Sequence, residues 1–394
     1  MEWALSVALA LFGFFATASV AGVYIAQALL LLLAIPLAPS IFRLAPWKSP
    51  PMAAGLLLLA YVALHCLWFS GLTHGTLHAI NGYQELLFAP LLLALMQLAP
   101  DRRVFYRALI AGATVFASIH WVGPLLDQPR LAQFLESRRI SAGFGFAICA
   151  FMLLTQARTH ARPWALRALA AFFAATLLFA AAGRTGYLVL VLLVGVSAWQ
   201  HSPPRWRWAA CLLLPLVVLA LASSSSLVKK RVHETIDNAQ PTGQVNTTST
   251  GIRVHMLQIA SQLVRAHPLI GVGFANYGEA HREAVKHMYA DDPERYAQLP
   301  ETWRFTSNPH NEYLMQLLGG GIPALALFLT WLGITLREAW RTRASVGYTL
   351  CGLCLAFALG CVFNSLLLDF VEGHMYMGLL AWLLSHKAAP PPPE

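Results

Sequence analysis

Long apolar runs separated by short polar segments set the pattern along most of this chain. A helix of about 20 apolar residues crosses a hydrocarbon core of about 30 Å, and most of the runs approach that length. The expected fold is therefore an all-α polytopic membrane protein with about twelve transmembrane helices. The predicted spans are residues 3–19, 21–41, 52–71, 76–98, 104–125, 140–157, 165–182, 186–200, 208–224, 311–335, 345–368 and 371–386.

One long polar stretch interrupts this pattern between the ninth and tenth predicted spans. It divides the chain into helices at 1–222, a loop at 223–310, helices at 311–386 and a proline-rich tail at 387–394. Apolar residues recur at helical spacing from Ile252 to His267, and this helix should end before Pro268. A second loop helix is predicted from Tyr277 to Tyr289. Between the two helices, the glycines of the segment 267–273 predict a tight turn that allows close backbone packing.

Composition and charge support a membrane protein and give its orientation. The chain is 57% hydrophobic and 11% charged, and its net charge is +9. The lysines and arginines concentrate in alternate short loops, which is the positive-inside pattern. Both termini are therefore expected in the cytoplasm and the long loop outside, and the net charge does not indicate nucleic-acid binding. The start, Met1-Glu2-Trp3, lacks a basic region, so the first apolar run is expected to be a retained anchor.

Several arginines run against this bias on the outer side. Arg184 lies between Gly183 and Gly186 where two predicted spans are joined almost without a loop. Burying an arginine costs about 2.5–3.5 kcal/mol on insertion scales, so Arg184 is expected either to meet an anion such as a lipid phosphate or to extend to the interface. Arg138 and Arg139 open the sixth span on the same side. A guanidinium matches phosphate geometry, although Glu136 could instead pair with either side chain.

Two further arginines, Arg253 and Arg265, lie on the first loop helix. They are twelve residues apart, which places them roughly 120° apart around the helix and roughly 18 Å apart along it. The two side chains are therefore not expected to hold the same phosphate through this helix alone. Each is open to a second interpretation, as a charge facing solvent or lipid headgroups.

A histidine marks the return of the chain to the membrane. Asn308 is a preferred N-cap and Pro309 a preferred first helical residue, so His310 is predicted in the first turn of the tenth span. Helix N-termini favour anions and disfavour imidazolium. A neutral imidazole there is suited to act as a general base. The alternative is a structural histidine at the membrane interface.

The sequence predicts no metal site and no cofactor. Cys351 and Cys354 have zinc-like spacing, but they lie on an apolar helix without a second pair. His281 and Glu283 are two residues apart and do not share a helical face. The polar residues Glu85 and Asp369 are the main anomalies within or beside the predicted spans.

Three motifs together resemble the bacterial O-antigen ligase family, which is related to the O-antigen polymerases. They are Arg184-Thr185-Gly186-Tyr187-Leu188, the segment from His267 to Gly273, and His310-Asn311-Glu312-Tyr313. The family carries an arginine with leucine four residues later, and a histidine followed by Asn, Ser or Gln with a glycine further on. Arg184 and Leu188 fit the first pattern, and His310, Asn311 and Gly321 fit the second. Ala324 departs from the preferred Gly, Thr or Tyr.

The resemblance implies an inverting, metal-independent membrane glycosyltransferase with a type C-like fold. It implies a donor of O-antigen on undecaprenyl pyrophosphate, lipid A–core as acceptor, and a site on the periplasmic side of the inner membrane among membrane lipids. His310 would be the general base, and Arg184 and Arg265 would stabilise the leaving group. Residues expected to bind substrate are Arg138, Arg139, Arg253, Asn311 and Tyr313.

Three other functions stay open on the sequence alone. An O-antigen polymerase would use the same donor with a lipid-linked repeat as acceptor. A protein O-oligosaccharyltransferase would transfer the glycan to serine or threonine. A flippase or transporter would carry out no chemistry, but it would be expected to have polar residues along a central path, whereas here they concentrate at the outer face.

Overall fold

The computed structural model describes residues 1–181, 183–237, 249–342 and 344–386. The predicted tail at 387–394 lies outside the described residues. Within them, every regular element is a helix, as the sequence predicts.

The helices fall into three groups along the chain. The first group is α1 (Glu2–Phe15), α2 (Val20–Leu44), α3 (Pro50–Ser70), α4 (His74–Asn81), α5 (Gln84–Leu98), α6 (Arg103–Val122), α7 (Pro129–Ser137), α8 (Arg139–Gln156), α9 (Pro163–Phe179), α10 (Arg184–His201) and α11 (Arg207–Ser224). The second is α12 (Ser226–Asp237), α13 (Ser249–Ala266), α14 (Tyr277–Met288), α15 (Pro293–Gln298) and α16 (Glu301–Arg304). The third is α17 (Glu312–Arg341), α18 (Ala344–Phe363) and α19 (Phe370–Ser385). Short 3-10 turns occupy Pro46–Lys48, Gly123–Leu126 and Pro204–Trp206.

The helices support a multi-pass membrane protein, although not the predicted number of spans. Each of the twelve predicted segments coincides with a helix or a helix pair. In the described part of the chain, seven helices are long and apolar enough to cross a membrane, or eight if the bent pair α4 and α5 forms one span. The bend between α4 and α5 is 43°. Helices α1 and α9 are apolar but have only 14 and 17 residues.

The helices α13 to α16 form a cap with a small hydrophobic core of its own. The predicted loop helices correspond closely to α13 and α14, which confirms both predictions. Ile259, Val285, Leu299 and Trp303 are buried together in this core. His255 stacks on Trp303 with ring centroids 4.5 Å apart, so aromatic packing adds to this core.

The segment between α13 and α14 joins the cap to a break in α17. Pro323 has no N–H to give to the carbonyl of Gly319, four residues earlier. That carbonyl accepts from the N–H of Gly273 at 3.1 Å instead. The carbonyl of Leu318 accepts from Val272 at 2.7 Å, and the N–H of Ile322 donates to Pro268 at 3.1 Å. The cap segment thus supplies the hydrogen bonds that the broken helix lacks.

Helix α3 holds the same segment from the other side. The hydroxyl of Tyr61 donates to the carbonyl of Gly320 at 2.7 Å, and Nε2 of His65 lies 2.9 Å from the carbonyl oxygen of Ile270. A side chain at Gly271 would overlap the Leu318 carbonyl, so close backbone packing requires glycine here. The predicted tight turn is therefore confirmed.

Gly321 should be the least replaceable glycine of α17. Its φ of 69° and ψ of −164° lie in a region almost restricted to glycine, and a Cβ would overlap the Leu269 carbonyl. We expect Gly321→Ala to lower the free energy of unfolding by roughly 1–3 kcal/mol from backbone strain alone. Thermal unfolding of the detergent-solubilised protein measures the effect.

Gly333→Ala in the same helix is the matched control. A Cβ at Gly333 meets nothing within 4 Å. Alanine favours a helix interior over glycine by about 1 kcal/mol in water, so this variant should be at least as stable as the wild type. Equal loss of stability in both variants would contradict the role of the break at Gly321.

Candidate functional site

Two glycines bring the N-termini of α8 and α10 into backbone contact. A Cβ on Gly186 would lie 2.5 Å from Cα of Gly143, so no side chain separates the helices. A Cβ on Gly183 would lie 2.6 Å from the carbonyl oxygen of Arg139. Because Arg139 begins α8 and Arg184 begins α10, this crossing places both arginines at the same end of the bundle. This arrangement explains why glycines flank Arg184 in the sequence.

A third arginine reaches this place from the cap. Arg253, in the first turns of α13, donates from Nη2 to Oδ1 of Asn364 at 3.4 Å. Asn364 is fully buried after the end of α18, and its Nδ2 donates to Oγ1 of Thr185 at 2.9 Å. One amide therefore connects the cap arginine to the residue that follows Arg184.

The guanidinium groups of Arg139, Arg184 and Arg253, here called the arginine cluster, act on one another. Burial and then the charges of Arg184 and Arg139 lower the pKa of Arg253, while the carboxylate of Asp369 opposes them. Like charges this close repel, and an anion placed among them would relieve the repulsion. Guanidinium forks suit the oxygens of a phosphate or carboxylate. The cluster is therefore a candidate anion site.

His310 lies beside the cluster in an unusual backbone conformation. Its φ is 52°, in the left-handed region that few non-glycine residues adopt. Oδ1 of Asn308 accepts from the His310 N–H at 2.8 Å and holds this turn. Nδ1 of His310 is buried, and no partner for it occurs among the residues described. Conformations of this kind collect at functional sites.

The structure corrects the predicted start of α17. The N-cap is Asn311, whose Oδ1 accepts from the N–H of Leu314 at 2.9 Å, and the helix begins at Glu312. The Asn308 side chain accepts from the His310 N–H in the turn before the helix and does not cap α17. His310 therefore precedes the helix rather than lying in its first turn. The prediction was wrong because two asparagines were both suited to be the cap, and the later one caps the helix.

Charge and burial keep the His310 imidazole neutral. Burial first, and then the charges of Arg253 and Arg139, lower its pKa to about 4. At neutral pH an imidazole with this pKa is unprotonated and can accept a proton. The predicted neutral state is thus supported, although the cause is the arginine cluster and burial rather than the helix dipole.

Two buried acids near the site were not predicted as site residues. Glu312 is fully buried, with Oε1 accepting from Gln316 at 2.8 Å and Oε2 from the N–H of Leu367 at 3.0 Å. It joins α17 to the connection between α18 and α19. Asp369, at the other end of that connection, faces Arg253. An acidic residue directly after an N-cap was the available signal for Glu312.

Arg138 and Arg139 have different surroundings. Nε of Arg138 is buried, and its charge lies within electrostatic range of Glu372 in the first turn of α19. Oε1 of Glu372 also accepts from Ser141 at 2.8 Å. Arg139 forms an ion pair with Glu136 at the surface. Only Arg139 of this predicted pair acts on both Arg253 and His310.

Three other predicted residues lie apart from this chemistry. Arg265 is exposed near the end of α13, roughly 18 Å along the helix axis from Arg253. The amide of Asn311 caps α17 and donates to the Val362 carbonyl at 2.8 Å. The hydroxyl of Tyr313 donates to the Ala358 carbonyl at 2.8 Å. The fold thus gives Asn311 and Tyr313 structural hydrogen bonds.

The site has no candidate metal ligand set. Within the ranges that the structure describes, no three His, Cys, Asp or Glu residues are grouped so that they could hold a metal ion. The donors at the arginine cluster are cationic, and they suit an anionic ligand.

Comparison with known proteins gives one match. No curated protein matches the chain. Residues 169–329 match the family model described as O-antigen ligase. This segment runs from α9 into α17 and includes Arg184, Arg253 and His310, whereas Arg139 and Asn364 lie outside it. The resemblance predicted from the sequence is confirmed over residues 169–329, the part of the chain that matches the O-antigen ligase family model.

Proposed function

We propose that this protein is an O-antigen ligase. It transfers O-antigen polysaccharide from undecaprenyl pyrophosphate to a sugar hydroxyl of lipid A–core, at the periplasmic face of the bacterial inner membrane. One observation carries the proposal: a neutral histidine lies beside Arg253 and Arg139, which cluster with Arg184 although the three arginines come from three separate helices. The family match supports a membrane glycosyltransferase of the ligase and polymerase type.

The arginine cluster binds the pyrophosphate of the donor. Charge on this group increases as the bond to the sugar breaks, and fixed cations at that place lower the barrier. Arg184, Arg253 and Arg139 fill the role that a metal ion has in many glycosyl transfers. Arg265 is left out of this set because it lies at the far end of α13.

His310 acts as the general base. A ring nitrogen takes the proton of the acceptor hydroxyl, and the oxygen attacks the anomeric carbon from the side opposite the pyrophosphate. The bond from that carbon to the phosphate oxygen breaks, and undecaprenyl pyrophosphate leaves with the electron pair. The configuration at the anomeric carbon is inverted. Bound pyrophosphate also offsets the charges of Arg253 and Arg139, which raises the pKa of His310 and makes it a stronger base.

Purified protein in liposomes with lipid-linked O-antigen and lipid A–core tests the function, without added metal or nucleotide. We expect transfer by the wild type and a loss of about 10²–10⁴-fold in His310→Ala, the usual effect of losing a general base. Arg184→Ala should lose activity comparably, because a fixed positive charge beside the leaving group is gone. Arg265→Ala should keep most activity, because Arg265 lies outside the arginine cluster. The role given to Arg265 in the sequence analysis predicts a loss instead.

The products distinguish the alternatives. Elongation of the lipid-linked glycan without transfer to core indicates a polymerase, and transfer to a protein indicates an oligosaccharyltransferase. Movement of the donor across the bilayer without transfer indicates a flippase. Full activity of His310→Ala contradicts the base assignment even if the wild type is a ligase.

The pH dependence follows from the charges around His310. The base must be unprotonated, so kcat/KM should fall as the pH decreases through the free-enzyme pKa of about 4. Arg253→Gln removes a nearby positive charge, which should raise that pKa and move the acid limb to higher pH. Initial rates across pH give the limb, and return to neutral pH before assay separates protonation from unfolding. An unmoved limb in Arg253→Gln would be inconsistent with this electrostatic coupling.

Asn364 should position Arg253 rather than contact substrate. Asn364→Ala removes the bonds to Arg253 and Thr185, and Thr185→Val removes one of them. A lost hydrogen bond is worth about 0.5–1.5 kcal/mol, so Thr185→Val should lower kcat by about 2- to 13-fold, and Asn364→Ala, which loses two bonds, should lower it further. Thr185→Ser keeps the hydroxyl and should restore the rate. Because the two residues share one bond, the double variant should lose less than the product of the single losses.

A further inference from the structure

A cavity lies in the cap, away from the arginine cluster. Its volume is about 770 Å³, within the range of about 300–1,000 Å³ that is usual for small-molecule sites. The lining comes from the end of α13, one face of α14, and α15 with the residues before it. Glu283, Lys286 and His287 line it and are exposed, so the cavity is accessible from outside.

Helix α14 uses different faces for the core and for this cavity. Tyr277, His281 and Val285 are fully buried at a spacing of four and form its inner face. The cavity receives the face formed by Ala280, Glu283, Ala284 and His287, which are three or four residues apart. On this face Ala280 and Ala284 also pack against the apolar cores, whereas Glu283 and His287 are exposed and line the cavity.

The lining combines aromatic surface with hydrogen-bonding groups of both charges. Tyr289 and Tyr296 supply aromatic surface, although each ring also has a guanidinium over it, from Arg295 and Arg304 respectively. Leu263 and Val272 supply apolar surface. Glu283 accepts hydrogen bonds, Lys286 donates them, and His287 can do either. Aromatic faces suit the C–H surface of a sugar ring, and the mixed polar groups suit its hydroxyls. A lipid chain has no groups that could form hydrogen bonds with these side chains, and Glu283 would repel a polyanion.

We propose that this cap cavity is a saccharide subsite, which binds sugar residues of the glycan at a distance from the bond that reacts. The proposal rests on the proposed function for the identity of the glycan. Helix α13 connects the two places, with Arg253 in its first turns and Leu263 ten residues later, roughly 15 Å along the axis. A glycan held at the arginine cluster by its pyrophosphate therefore reaches the cap cavity only through several sugar units.

Direct binding tests the subsite without catalysis. The probe is the delipidated O-polysaccharide that mild acid releases from lipopolysaccharide of the source bacterium, with dextran as the unrelated glycan. Tyr296→Ala removes a stacking face, and Ala284→Trp fills the cavity without removing a polar group. We expect each to weaken binding of the probe by about tenfold in isothermal titration calorimetry. Glu279 does not line the cavity and forms an exposed ion pair with Arg282, so Glu279→Gln should bind the probe like the wild type.

The transfer assay adds a readout that a structural defect would not give. Tyr296→Ala and Ala284→Trp should each raise KM for donors with many repeats and leave kcat unchanged. Neither should change the kinetics with a one-repeat donor. Absence of probe binding by the wild type, or equal binding by wild type and both variants, overturns the subsite. If probe binding falls as expected but no protein transfers glycan, the subsite stands and the proposed function fails. If transfer occurs with unchanged KM in both variants, the subsite fails and the proposed function stands.

Discussion

The break in α17 is the constraint on which the arrangement of the site depends. Pro323 and Gly321 leave backbone carbonyl and N–H groups without helical partners, and within a membrane such groups have no water to bond. The segment 268–273 satisfies them, with α3 packed on its other side. The cap is thereby attached to the membrane helices by main-chain hydrogen bonds rather than by side-chain contacts alone. The positions of Arg253 and His310 both depend on this attachment. Arg253 belongs to the cap, and His310 lies just before α17, the helix to which the cap is attached.

The electrostatics of the site follow from this geometry. Two arginines start neighbouring membrane helices, and the cap supplies the third. Asp369 provides the opposing charge to Arg253, and Asn364 holds that guanidinium with a neutral amide. The charges of Arg253 and Arg139 also keep His310 unprotonated. In the proposed function the same charges would serve two purposes, since they would attract an anion and set the protonation state of the base.

The sequence predicted the helices better than the site. Apolar periodicity was sufficient for the helices and for α13 and α14, because burial of one face sets that pattern. It was not sufficient for the number of spans, since α1 and α9 are apolar yet short. Arg184 and His310 were singled out in the sequence because polar residues beside apolar runs stand out. Asn364, Glu312 and Asp369 were missed as site residues because their importance comes from contacts across the chain, such as the bond from Asn364 to Thr185, 179 residues away. The sequence could not show that Arg265 lies at the other end of α13 from the arginine cluster, because spacing along one helix does not show which end faces the site.

The backbone contact between α8 and α10 has a consequence for the energetics of the proposed glycosyl transfer. With no side chain between Gly143 and Gly186, the two helices meet as closely as main chains allow, and they cannot approach further or tilt without overlap. The spacing between the backbones at Arg139 and Arg184 is then set when the protein folds. Dipoles and charges that are already oriented need not reorganise as the bond breaks, whereas water would have to turn around the growing charge. The work of orienting these cations is done once, in folding, and is not repeated with each glycan.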